Sequence, residues 1–222
     1  MKFTITRINR QNKLMVSTKT IDRFLERIAK DDAKQSVARF RMSVPLMEGD
    51  YQYYKGIREW QHVYPAAEFS KDESGNLVFQ KSNGLVILHF TNLMTNQEKD
   101  ATKTAASLLP MTFAAIEGAD GRSLIVLVSI CNKEGKIPTK EEEADLLYQS
   151  AYEQVKTLYQ AQVHATIKPE KPSLESNFML TMDASPYYNN KAVAMRIASN
   201  QFAVATAPKS IDDLKAYEDY EF

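Results

Sequence analysis

The side chains able to do chemistry in this sequence are few and scattered. His62, His89 and His164 are the only histidines, and none belongs to a close-spaced ligand motif, so neither a metal site nor a cofactor is expected. Cys131 is the single cysteine, which excludes an internal disulfide or a cysteine zinc site; placed at a strand end, it reads as a packed thiol rather than a nucleophile. Ser123 and Ser129 lack a nucleophile-elbow context, and neither Gly-x-x-x-x-Gly-Lys-Ser/Thr nor Gly-x-Gly-x-x-Gly occurs. The most phosphate-like loop is Gly118-Ala119-Asp120-Gly121-Arg122, where small residues admit close backbone approach and Arg122 could grip an anion. A plain β-hairpin accounts for the same residues.

A second set is cationic. Lys19, Arg23, Arg27, Lys30 and Lys34 recur about a turn apart, so a helix running through them would gather positive charge on one side. Phosphate contact is one reading. Asp22, Glu26, Asp31 and Asp32 lie among them, and a solvated face with local ion pairs is the other. Tyr51, Tyr53, Tyr54 and Trp60 could likewise stack on bases or cover the core.

The elements that must position these groups follow from periodicity. A first strand covers Met1–Arg7, and Ser17 and Thr18 offer N-cap chemistry for a helix over about 18–31 with Ile21, Phe24, Leu25 and Ile28 facing a core. Tyr64–Phe69 and Leu77–Phe79 read as short strands about the Asp72–Asn76 turn. Leu85–Phe90 is apolar except at His89, as suits a central strand covered on both faces. A helix over about 96–109 stops at Pro110, and the apolar runs Met111–Ile116 and Leu124–Ile130 flank the Asp-Gly joint of a hairpin. Thr139 with Glu142 forms a capping box for the longest helix, about 140–161. Val163–Ile167 and Phe178–Met182 are further strands, and an acidic end segment starts a short helix near Ser210. From Leu85 the order β-α-β-β-α-β predicts an α+β protein with an RRM-like split βαβ sheet. Residues 1–80 form an N-terminal α+β layer, 81–205 the core and 206–222 an acidic tail.

Composition bounds the function classes. The 222 residues are 44% hydrophobic and 25% charged, ordinary for a folded domain. Net charge is zero, yet residues 1–60 hold 13 Lys and Arg against 7 Asp and Glu, and the rest carries the matching negative excess. Such asymmetry can mark a nucleic-acid-facing end or two halves that neutralise each other. No run approaches the roughly 18 apolar residues of a membrane helix. The amino terminus is unlike a secretory signal, so no membrane association and a cytoplasmic location are expected.

Four stretches together resemble a known family. They are Val63–Phe69, Asn83–Thr91, Phe113–Val126 and Phe178–Asn189, spanning about residues 57–197. They resemble the VirE N-terminal-type domains of mobile-element proteins, a family related in fold to the archaeo-eukaryotic primase-polymerases. The resemblance implies a primase-polymerase-like core in which an apolar strand runs into an Asp-x-Asp metal pair. Here His89 and Thr91 stand at those positions, and Val163–Thr166, where a later acid belongs, holds no carboxylate. An imidazole and a hydroxyl do not replace two charged oxygen ligands for magnesium. The resemblance therefore implies a catalytically inactive domain of a replication or transfer protein that binds nucleic acid or a replication partner, with Arg122 a phosphate contact by analogy; Lys19, Arg23, Arg27 and Lys30 are phosphate-contact candidates from their own spacing. Two alternatives stand beside it: a module docking a helicase-like or replication protein, and an enzyme with a relocated site using Asp183 or Glu117 with a histidine.

Overall fold

Apolar alternation at the amino terminus makes the first sheet. The computed structural model describes residues 1–9, 11–30, 34–43 and 60–198. Strand β1 (Lys2–Ile8) pairs antiparallel with β2 (Leu14–Thr20), and helices α1 (Ile21–Lys30) and α2 (Lys34–Ser43) follow. Strand β3 (His62–Tyr64) joins the other edge of β1, and β4 (Ala67–Lys71) turns back through Asp72–Asn76 into β5 (Leu77–Ser82). The expected 64–69 strand is split at Pro65, which offers no amide hydrogen to a ladder.

The second sheet is central. It contains β6 (Leu85–Thr91), β7 (Thr112–Glu117), β8 (Leu124–Cys131) and β9 (Thr166–Ile167), with α3 (Asn96–Ser107) between β6 and β7 and α4 (Glu141–Val163) between β8 and β9. Its order is β7-β8-β6-β9 with every neighbouring pair antiparallel. Strand-helix-strand-strand-helix-strand is thus the observed succession. Short strands complete the chain: β10 (Phe178–Met179) returns to pair with β3, β11 (Tyr187–Tyr188) extends the sheet at β7, and β12 (Met195–Arg196) runs parallel to the end of β8.

Period-two alternation in β6 explains why the sheet is buried on both sides. Val86, Leu88 and Phe90 face α4 and a core with Ala151, Tyr152, Val155 and Tyr159. Leu85 and Ile87 face the opposite way, into a second core with Phe3, Ile5, Phe24, Ile28 and Phe178. Buried polar groups bridge the layers. Asn83 Nδ2 donates to the carbonyls of Lys2 at 2.8 Å and Pro65 at 2.9 Å, and the Ile87 amide donates to the Tyr148 hydroxyl at 3.3 Å. Burial pushes the Tyr148 hydroxyl pKa up to about 12, so it stays a neutral hydrogen-bonding group.

Several local expectations are corrected. Ser17 and Thr18 do not cap α1, because β2 carries the extended backbone through Thr20. Nor does Thr139 cap α4: that helix begins at Glu141 after Lys140, which makes no side-chain cap bond, and Glu141, Glu142 and Glu143 instead answer the positive end of its dipole. Among the described residues a capping box is formed by Thr95 with Glu98, at the start of α3. The 163–167 strand shrinks to two residues because α4 continues to Val163 and ends at left-handed His164. The helix expected near Ser210 lies outside the described residues, as do Tyr51, Tyr53 and Tyr54. Among the described residues no helix is long and apolar enough to cross a membrane.

Candidate nucleic-acid interface

The spacing of α1 separates its faces. Ile21, Phe24 and Ile28 are buried in the second core, which turns Arg23, Arg27 and Lys30 outward; Lys19 sits just ahead, at the end of strand β2. Lys19, Arg23, Glu26, Arg27 and Lys30 line one open hollow of about 620 Å³. Four of the five sequence-derived phosphate candidates are therefore brought together. Local pairing does not consume them: among the described residues the four cationic side chains make no ion pair, and neither Asp22 nor Glu26 takes one. Asp22 lies nearer Tyr188, whose hydroxyl pKa is raised by burial first and by the Asp22 charge second. The side chain of Lys34 and residues 31 and 32 lie outside what the structure describes.

Arg122 does not share this hollow. It lies in the β7–β8 hairpin, where its amide donates to Asp120 Oδ1 at 3.0 Å and its carbonyl accepts from the Leu93 amide at 2.9 Å. The amides of Gly118 and Gly121 are also spent within the turn, on Ser123 and Gly118 carbonyls. A Cβ at Gly118 would lie 1.9 Å from Ser123 Oγ, so the close approach of the small residues serves the turn itself. The loop is a hairpin whose amides are largely occupied, not an open phosphate cradle.

Beneath it lies a constellation that sequence spacing did not show. Asp183, 3% exposed, accepts from Lys103 Nζ and the Glu117 amide at 2.8 Å each and from the Ser185 amide at 3.0 Å. Glu117 pairs with Lys99 Nζ at 2.5 Å and Arg41 Nη1 at 3.4 Å. Arg41 also donates to the carbonyls of Met182 at 2.7 Å and Gly118 at 3.1 Å. The main-chain amide of Glu117 donates to Asp183, so the two acids considered for a relocated site are neighbours, each carboxylate paired with its own cations. Their companions are three cations rather than a histidine, an arrangement that ties α2, α3 and the hairpin to the Thr181–Ser185 segment. No sequence signal pairs residues 80 and 141 positions apart, so only the fold could reveal it.

His89 and Thr91, two residues apart on β6, share one face of the strand. His89 Nδ1 meets Glu170 Oε2 at 2.8 Å, and its buried Nε2 has no partner. Burial alone would raise the Glu170 pKa, but the bonds and charges of His89 and Lys168 outweigh it and hold it below the ordinary 4.5. One carboxylate, itself salt-bridged to Lys168 at 3.1 Å, thus stands beside His89. Among the described residues no three His, Cys, Asp or Glu side chains gather where they could hold a metal ion. Trp60 covers the core: its Nε1 donates to the Leu180 carbonyl at 2.8 Å and its ring packs 5.5 Å from Phe40. Cys131 is a buried free thiol.

These layers and faces define an α+β domain of antiparallel sheets whose central sheet is buried on both sides, with an unpaired cationic helix face. The chain belongs to the family described as BT4734-like, N-terminal domain, whose model matches residues 56–188. This corrects the VirE N-terminal-type and primase-polymerase assignment, since the matching family is a different one. The stretches that suggested it are apolar strands entering small-residue turns, a pattern that strand and hairpin physics imposes on many sheets. No curated protein and no solved structure matches the chain.

Proposed function

We propose that this domain is a non-catalytic nucleic-acid-binding module of the cytoplasm that holds phosphates on the face of α1. The observation that carries the reading is the hollow lined by exposed Lys19, Arg23 and Lys30 and half-buried Arg27, which have no ion-pair partner among the described residues. Phosphate backbones are bound by such unpaired cations, and the release of condensed counterions supplies the free energy. The strand order β7-β8-β6-β9 supports an RRM-like kinship of the central sheet. Its use differs from that of an RRM. The face on which an RRM stacks bases is here filled by Phe3, Phe24 and Phe178, so contact falls to the charged rim and follows phosphates rather than sequence.

The test is a mobility shift with a single-stranded DNA oligonucleotide at low salt. The wild-type chain retards the strand, and the triple variant Lys19→Glu, Arg23→Glu, Arg27→Glu does not, while keeping the wild-type urea midpoint. Absence of a shift by the wild-type protein at low salt rejects the reading.

A further inference from the structure

A different hollow, of about 430 Å³, lies on the other side of the central sheet, between the start of α3 and the end of α4. Its size falls within the roughly 300–1,000 Å³ of small-molecule sites. Leu93, Ala101, Ala105 and Val163 give it an apolar lining of mostly small side chains. Asn92, Gln162 and His164, all exposed, supply carboxamide and imidazole groups, none bonded to another part of the protein among the described residues. Thr91 and Thr166 are direct partners across β6 and β9 at the edge of the hollow, and alternation with Phe90 and Ile167, which face the helices, turns their side chains to the other side of the sheet. The one charged group of this lining, Glu98, is committed to Thr95, whose amide and hydroxyl donate to its Oε2 at 2.8 and 3.0 Å. Neither a cation for an anionic ligand nor an unoccupied carboxylate for an amine remains.

Backbone strain marks the same place. Among the described residues three non-glycine residues have positive φ: Asn12 in the β1–β2 turn, Asn92 at 64° and His164 at 46°. Two of the three border this hollow, one after β6 and one ending α4. Glycine is the residue such backbone favours, and a helix end of this kind most often carries it. Here two polar side chains occupy those positions and line the cavity, which is how strain retained for binding looks.

We infer that this hollow is a binding site for an uncharged, planar, hydrogen-bonding heterocycle: a nucleobase, free as a nucleoside or carried on a strand. The carboxamides of Asn92 and Gln162 each offer a donor and an acceptor to a base edge, and the small apolar residues accept its flat face. The site involves no residue of α1 and stands or falls apart from phosphate binding there.

The test is a titration of the full chain with each of the four ribonucleosides, followed by amide chemical shifts of residues 91–93 and 162–166. Saturable shifts are expected at millimolar nucleoside. Competition by a short oligonucleotide identifies a strand as the source of the base; its failure to compete identifies the free nucleoside. Asn92→Gly and His164→Gly relieve the left-handed backbone, so each keeps or raises the urea midpoint while weakening binding about three- to tenfold, the effect of one hydrogen bond. Ala101→Leu fills the hollow from an exposed position and abolishes binding. Absence of saturable shifts with every nucleoside overturns the inference. So does binding that survives Ala101→Leu, or a glycine variant that loses stability, since the side chain then serves the fold.

Discussion

Around Asp183, three cations are pinned by two carboxylates and by main-chain carbonyls; along α1 and just ahead of it, four cations line an open hollow and hold no partner among the described residues. The residue types are the same in both regions, and the chain's net charge is zero. The difference lies in what the fold places opposite each cation. Lys103 is 17% exposed and faces a carboxylate that is itself 3% exposed, so its charge serves the packing of α3 against the Thr181–Ser185 segment. Arg23 and Lys30 project from a helix whose apolar stripe alone is buried, so their charge remains available to an external anion. A count of basic residues does not separate these fates; the pairing does.

The sharpest way to break this comparison is to remove the buried acid. Asp183→Ala leaves Lys103 and the Glu117 amide without their acceptor, and urea unfolding is expected to show a loss of about 3–5 kcal/mol. DNA affinity per folded molecule stays unchanged. A loss below about 1 kcal/mol would mean that the cluster does not hold the segment.

A smaller effect comes from the His89–Glu170 pair. The folded-state pKa of Glu170 is depressed, so its contribution to stability is complete above the ordinary 4.5 and is lost as pH falls through the lower folded value. Glu170→Gln should cost roughly 1–2 kcal/mol near neutral pH and should flatten the acid limb of the stability profile measured by urea titration. An unaltered acid limb would show that the pair carries no linkage.

Smallest is the stability change on reversing charge along α1. Lys19→Glu, Arg23→Glu and Arg27→Glu remove no native ion pair, so the urea midpoint should correspond to a change within about 0.5 kcal/mol for each. A larger loss would place these side chains in the fold rather than at its surface.

Much of the fold was legible because local rules governed it. The Ile21–Phe24–Ile28 stripe, the two-faced apolar run of β6 and the Asp-Gly hairpin each specify their element within a few residues, and all three are present. Element ends were less legible. Ser17 and Thr18 have cap chemistry, yet the ladder of β2 with β1 holds them extended; Thr95 and Glu98 have the same chemistry and realise it. Long-range pairings were not legible at all. Nothing local joins Arg41 to Met182 or His89 to Glu170, and the family resemblance failed because its marks were those of ordinary strands and turns. Of the site, the cationic spacing on α1 was readable, while the freedom of those cations from local pairs required the folded chain.

The most direct measurement is the salt dependence of single-stranded DNA affinity, followed by fluorescence anisotropy across a series of sodium chloride concentrations. Four phosphate contacts on α1 give a linear fall of log K against log salt with a slope of about −3. Reversing Lys19, Arg23 and Arg27 should remove the binding, while Lys99→Ala, after correction for folded fraction, should leave both affinity and slope unaltered. An affinity independent of salt, or one undiminished by the α1 reversals, would contradict the assignment of that face to phosphate binding.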